Sequence, residues 1–465
     1  MNTSGPISLA GPTAGQSIAI EVGQTAVSTI SLNDTIVRTL AGVPSGAITM
    51  PTNFYGKRLS TSFVKVFQSA NAIGLGNNTC RYDSSGNMYV FLRETALNSG
   101  YLYKFNTNYN LLWQKQISTV SSGFVISFDV KGTEIFIGGS KVGYPGYTAT
   151  RPFVTKLDTN GTVTATNIYQ VSSTGTSTAV PMFSLIVTDN GYVHFSCDRV
   201  TNIGWAMAQT SNLAVAGNVS VRNTGYRNGF VLNPTTNQVL TTGTGGTNWG
   251  QWLAVSAGST NGTTTQIGFA SGGGGSSGPL ARNPTTGEIF TGVTAFSRYS
   301  SSYVVNLVRQ ATPSTSCATL AHNGTYLFGM SLAGLLTCFD NNLNAVWQKQ
   351  FSSSSGAVSM SSTTIGVGGL AIASDGELLI PLNVASTPRS VVLLKVKADG
   401  SQLNSLNVTV GGINIQSVNV TAPTMSNPAY TLLTDTYNNV TTSLAPASST
   451  NTSATSTTTV GSIVS

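Results

Sequence analysis

A tight polar turn followed by a short apolar strand recurs along most of the chain, and this constrains the fold more than any other feature. It is visible as Asp83-Ser-Ser-Gly86 before Met88-Tyr-Val-Phe91, Lys131-Gly132 before Glu134-Ile-Phe-Ile137, and Asp189-Asn-Gly191 before Tyr192-Val-His-Phe195. It returns as Asn233-Pro-Thr-Thr236 before Val239-Leu240 and as Asn283-Pro-Thr-Thr-Gly287 before Glu288-Ile-Phe290. The last two are His322-Asn-Gly324 before Tyr326-Leu-Phe328 and Asp375-Gly376 before Leu378-Leu-Ile380. Asn, Asp and Gly recur because hairpin turns need positive φ, which these residues tolerate best. Successive turns lie roughly 37 to 59 residues apart, close to the 40–50 of a four-stranded repeat.

A second turn follows in most repeats. Phe105-Asn-Thr-Asn108 leads into Leu111-Leu-Trp-Gln-Lys-Gln116, and Phe339-Asp-Asn-Asn342 into Ala345-Val-Trp-Gln-Lys-Gln350. Leu157-Asp-Thr-Asn-Gly161 leads into 162–169, and Lys397-Ala-Asp-Gly400 into 403–410. The shared Trp-Gln-Lys-Gln marks Trp113 and Trp347 as packing residues at equivalent positions. No clean second turn is visible after 303–309. The expectation is an all-β chain folded as a seven-bladed β-propeller, with six or eight blades as alternatives. Its units begin near residues 78, 124, 182, 228, 278, 318 and 366. A ring of this kind closes by pairing strands from the two ends of the chain. Ser62-Phe-Val-Lys-Val-Phe67 is the candidate closing strand of the last blade, together with 413–420.

Composition agrees and excludes several classes. Charged residues make up 8% of the 465, against about a quarter in ordinary domains, and Gly is abundant. The aromatics and β-branched residues argue against disorder. The formal charge of +7 is thinly spread, with no basic run or nucleic-acid fingerprint, so no nucleic-acid partner is expected. Cys80, Cys197, Cys317 and Cys338 show neither CxxC spacing nor a metal pattern and read as buried thiols. No signal peptide and no run long enough to span a membrane is seen. The expected origin is a cytoplasm, without membrane insertion.

Little in the sequence carries chemistry. His194 lies in a strand and His322 in a turn, neither near an acidic cluster. Asp83, Asp189 and Asp375 align at the first turn, where Asx-turn formation accounts for them. No nucleophile elbow, Walker loop or zinc-protease helix is present. No catalytic, cofactor or metal residue is therefore assigned, and the expectation is a protein that is not an enzyme. Aromatics in or beside Gly/Ser/Asn-rich connections fit a saccharide surface. Trp205, Trp249, Trp252 and Tyr226 are the tentative glycan-facing residues, with Tyr144, Tyr147 and Tyr299 in similar settings.

Residues 1–57 differ from the rest. Segment 31–41 has Leu32, Ile36, Val37 and Leu40 on one helical face, Asn33 or Asp34 as N-cap, and Gly42 as a stop signal. Strands are expected at 17–22 and 47–50, giving a small α/β module that docks on something else. The propeller would then occupy 58–440. The Ser/Thr-rich tail, 441–465, would be either mobile or ordered against neighbouring subunits. Gly11-Pro-Thr-Ala-Gly-Gln-Ser-Ile18, Ile30-Ser-Leu-Asn-Asp34, Val37-Arg-Thr-Leu-Ala-Gly-Val43, Ser45-Gly-Ala-Ile-Thr-Met50 and Asn53-Phe-Tyr-Gly-Lys57 resemble, in order and spacing, an N-terminal module of tailed-bacteriophage structural proteins. The resemblance covers about an eighth of the chain. It implies an anchor for other virion tail proteins, with Leu32, Val37, Leu40, Phe54 and Tyr55 on the attachment surface, and a homo-oligomer within the particle. It also implies a tail or fibre protein made in the host cytoplasm, whose propeller faces host-surface polysaccharide. The alternatives are a purely architectural decoration or a glycan-degrading propeller.

Overall fold

The computed structural model describes 62–69, 73–94, 99–118, 123–141, 151–171, 182–200, 203–220, 229–243, 251–255, 264–270, 278–292, 295–314, 316–363, 366–367, 369–387 and 389–428. Short strands at 21–22, 25–26, 30–32, 35–37, 431–437, 444–446, 455–458 and 462–464 are also described. The architecture is all-β. The one helical element among the described residues is a 3-10 turn, Ser401–Leu403. No described helix is long and apolar enough to cross a membrane.

The sheets form a propeller-like arrangement of antiparallel meanders, each taken from consecutive sequence. We label them A (73–118), B (123–171), C (182–220), D (230–270), E (280–312) and F (319–352). A further sheet, G, takes Ala371–Ile372, Leu378–Val384 and Ser390–Val396 from one end of the chain and Phe63–Gln68 from the other. Phe67 lies opposite Val391 and Val64 opposite Leu394. The expected closing strand thus pairs where the sequence placed it. The first strands touch in order from A through to G, and that of G touches that of A. Segment 413–420 does not close G. Ile413–Val420 lies on the outer strand of F, with Gln348 opposite Val420. Nor does 403–410 form the fourth strand of G, since Asn407–Val410 pairs with Ile413–Val420.

The expected helix at 31–41 is also corrected. Ile30–Leu32 and Thr35–Val37 form an antiparallel hairpin, with Leu32 opposite Thr35. Asn33-Asp34, read as a helix cap, are equally the residues that two-residue hairpins prefer, and Thr, Ile and Val favour strands.

The turns explain the repeat. Each inner turn carries one left-handed residue: Gly86, Gly132, Gly191, Asn237, Gly287, Gly324 or Gly376. In the outer turns the left-handed residue is often large. It is Tyr109 in A, Leu213 in C, Tyr303 in E and Leu343 in F, but Gly161 in B and Gly400 at the turn leaving G. Unit E therefore has a second turn after all, at Ser300-Ser-Ser-Tyr303, ahead of the 303–309 segment.

This position docks each unit on the one before it. Leu213 packs with Phe136, Val154 and Tyr169 of B, and Leu343 with Phe290 and Phe296 of E. Tyr303 Oη donates to Gln238 and accepts from Asn233 of D, both at 2.8 Å. Tyr109 sets its ring 4.8 Å from that of Phe63 in G. Where the residue is Gly, the preceding unit supplies the bulk. A β-carbon at Gly161 would lie 3.0 Å from the Trp113 ring, and one at Gly400 2.8 Å from the Trp347 ring. Trp113 Nε1 also donates to Thr159 O at 3.2 Å. In units A, B and E the residue four positions after the left-handed site completes the match: Trp113 faces Gly161, Ala165 packs with Leu213, and Leu307 packs with Leu343.

The C-terminal segment encircles the meanders in reverse order. Ile413–Val420 extends F, Thr424–Ser426 extends E and Thr431–Tyr437 extends D. Leu444–Pro446 then extends B, Thr455–Thr458 extends A, and Ser462–Val464 lies on Phe63–Gln68 of G. Among the described residues, only unit C receives no added strand. The Ser/Thr-rich composition fits an added outer strand, because β-branched Thr favours the extended backbone.

Three outcomes are expected. Gly400→Leu alone should cost about 2–3 kcal/mol through overpacking. Combined with Trp347→Ala it should cost at least about 1 kcal/mol less than the sum of the single changes in chemical denaturation. Removal of residues 441–465 should lower the melting temperature by several degrees and produce oligomers in light scattering, because the outer strands of A, B and G become free edges. His194 is 3% exposed, and burial lowers its pKa to about 3. The unfolded chain takes up a proton near pH 6.5 while the folded chain does not, so this contribution is complete above that pH and is lost as pH falls toward 3. The melting temperature of His194→Gln should therefore drop less than that of the wild type between pH 7 and 4.5.

Candidate functional site

The first strands of A, D, E, F and G converge on a cavity of about 360 Å³. Ile73–Tyr82, Phe230–Asn233, Leu280–Arg282, Thr319–His322 and Ala371–Ile372 contribute to its wall. Phe230, Leu280 and Leu370 are among its apolar residues, and its polar groups come from Asn77, Asn78, Arg81, Arg282, Thr319 and His322.

Irregular backbone sets one part of this wall. The pairing of Ile73–Tyr82 with Met88–Glu94 shifts between Leu75 and Cys80, and Asn78 is left-handed at φ 60. Its Nδ2 donates to Leu185 O at 3.1 Å and Ser127 Oγ at 3.4 Å, which ties units A, B and C together. Ser127 Oγ also accepts from Leu185 N at 3.2 Å, and Thr319 Oγ1 accepts from Leu370 N at 3.0 Å. Inner strands bent away from full pairing thus satisfy their backbone groups with side chains.

The charged residues are unequally committed. Arg81 Nε donates to Asp129 Oδ1 at 2.9 Å and its Nη1 to Cys80 O at 3.0 Å. The Asp129 carboxylate is saturated by Val130 N at 3.0 Å and Val187 N at 2.9 Å. Arg282 has no carboxylate within ion-pair distance among the described residues, and its Nε is enclosed without a hydrogen-bond partner. Both arginines stand just before an inner turn, Asp83–Gly86 and Asn283–Gly287, so they occupy the same rim of the cavity.

His322 is held in one state. Its Nδ1 accepts from Gly324 N at 2.9 Å, which leaves Nε2 to donate to Asn341 Oδ1 at 2.8 Å. The ring stacks on Phe290 at 4.9 Å. Burial lowers its pKa, against weaker opposing effects of Asn341 and Glu288. The imidazole is therefore a fixed neutral wall group. Cys80, also on the wall, is pushed up to about 12 by burial.

Several acids elsewhere hold turns or pair with cations. Asp83 accepts from Ser85 N, Asn87 N and Asn87 Nδ2, and Asp340 from the equivalent atoms of Asn342 and Asn344. Asp375 and Glu377 share the buried Lys395, Glu377 at 2.6 Å. Asp189 pairs with Lys131. Among the described residues no His/Cys/Asp/Glu group is arranged to hold a metal ion.

Of the tentative glycan-facing aromatics, Trp205 belongs to unit C and Trp252 to unit D. Trp205 and Trp252 lie within strands Ile203–Gln209 and Gln251–Val255, opposite Val219 and Gly268 respectively. Tyr226, Trp249, Tyr144 and Tyr147 fall outside the described residues, as do Leu40, Phe54 and Tyr55 of the attachment module. Leu32 and Val37 lie in the N-terminal hairpin. Tyr299 is wholly buried in unit E, packed with Leu240 and Ile289, and is a core residue rather than a surface ring. Sequence reasoning missed Arg282 and the Asn77-Asn78 pair. Two asparagines within an apolar strand were the available signal.

No protein-family model matches the chain, and no curated protein matches it. Several solved β-propeller structures are similar. They include BamB from Moraxella catarrhalis, at 12% identity over 76% of this chain and 96% of that one, with a TM-score of 0.41. A chain of the Mitotic Checkpoint Complex matches at 12% identity over 79% and 100%, with a TM-score of 0.44. The WD40 β-propeller domain of Doa1 matches at 12% over 72% and 98%, with a TM-score of 0.41. Nothing in these comparisons indicates a phage tail protein.

Proposed function

We propose that the chain is a seven-bladed propeller serving as a tail-associated structural and recognition protein of a virion, with its central cavity as a ligand-binding site. Seven is supported by the cyclic order of touching first strands, A to G and back to A, and by the docking of Tyr109 of A on Phe63 of G. The virion assignment rests on the resemblance of residues 11–57 to a tailed-phage attachment module.

The observation that carries the binding reading is the wall of the cavity. It combines two arginines, two asparagines and a neutral histidine with apolar surface, in a volume of about 360 Å³. A mixture of apolar surface and a few placed polar groups is what small-molecule sites use. The immobilised His322 and the acid-free lining favour recognition over acid–base chemistry. Trp205 and Trp252 remain candidates for a second, outer contact with polysaccharide.

The test is saturable binding of the full chain to intact bacteria and to their extracted surface polysaccharides. Binding that falls at least tenfold in Trp252→Ala, with the melting temperature unchanged, would make the protein an adhesin with an outer aromatic contact. A folded protein that decorates particles yet binds neither cells nor polysaccharide would leave the propeller as architecture.

A further inference from the structure

We propose that the central cavity takes a sugar-sized organic anion whose carboxylate or phosphate pairs with Arg282. The inference rests on reading the cavity as a binding site and adds the chemical class of its occupant.

Five other cations near the inner-turn rim are neutralised, Lys156 by Glu134 among them. Arg81 pairs with Asp129 at 2.9 Å, Lys131 with Asp189, Lys395 with Asp375 and Glu377, and Arg298 with Glu288 at 3.6 Å. Arg282 lines the cavity itself, and no acid residue shares that lining. Its Nη2 lies over its own turn, 3.4 Å from where a β-carbon of Gly287 would stand. Its Nε is enclosed with no protein partner among the described residues. An enclosed guanidinium donor left without an acceptor costs stability. The two Nη groups remain to form the fork that a carboxylate or phosphate matches with two of its oxygens. Asn77 and Thr319 supply neutral polar groups on the same wall, suited to hydroxyls, and Leu370 and Phe230 supply apolar contact. The volume suits one or two sugar rings.

The test is calorimetric titration of the full chain with D-glucuronate, D-glucose 6-phosphate and D-glucose. At least one acidic sugar should bind tenfold or more tightly than glucose, and more weakly as salt rises. Arg282→Gln should weaken it at least tenfold, and Arg282→Lys less. Whichever acidic sugar binds better identifies carboxylate or phosphate as the recognised group. Gly369→Phe should abolish binding: a β-carbon there meets only ordinary contacts, nearest Asn78 N at 3.5 Å, while the ring fills the cavity. Circular dichroism establishes that each variant is folded. Equal affinity for glucose, or an unchanged Arg282→Gln, overturns the anion inference, and the cavity reading survives if Gly369→Phe still removes binding. If no sugar binds, or Gly369→Phe binds like the wild type, both fail.

Discussion

The structure depends on one recurring junction, in which a left-handed residue in the outer turn of a unit meets the outer face of the unit before it. A single meander exposes too much apolar surface to be stable alone, so each must be buried by its neighbour. Here the burial is keyed: large residues such as Leu213 and Leu343 reach back, or Gly161 and Gly400 yield to an incoming tryptophan. The same junction operates between Tyr109 of A and Phe63, the latter on the strand that the N-terminal part of the chain adds to G. The cavity follows from this arrangement, because first strands held around a common axis leave space where their side chains cannot all meet.

Charge is scarce in this protein, and where it occurs it is mostly tied down. Lys395 is fully buried against two carboxylates, and Asp129 accepts from one guanidinium and two backbone amides. Lys65 is covered by the rings of Phe63 and Phe105, each at 5.1 Å, and burial lowers its pKa to about 8. These groups rigidify the scaffold. Arg282 departs from that pattern, which gives the cavity its chemical character. Along the rim, the returning C-terminal strands replace charge as the protection of edges.

Much of the fold was legible because its turns are written in glycine and asparagine. Inner turns such as Asp83–Gly86 and Asp375-Gly376 read directly. Outer turns at Leu213 and Tyr303 did not, since left-handed leucine or tyrosine carries no local signature and is stabilised by a neighbour distant in sequence. The Trp-Gln-Lys-Gln match was visible, whereas its cause, a glycine in the following unit, requires the structure. Segment 413–420 reads as a strand from its alternation, but alternation does not say which edge it joins. The helical spacing at 31–41 was equally compatible with a hairpin. The cavity was least legible: its wall joins residues from Asn77 to Ile372, and Arg282 looks in sequence like any arginine flanking a turn.

The pairing of Phe63–Gln68 between Ser390–Val396 on one side and Ser462–Val464 on the other has a mechanical meaning. This is the strand through which any tension on the N-terminal segment enters the propeller. Pulled along its own axis, it loads its hydrogen bonds to both neighbours together, in shear, instead of opening them singly as a peeling edge would. The final strand acts as a latch over that entry point. Were the chain tethered at its N-terminus, the load would fall on a strand hydrogen-bonded along both sides.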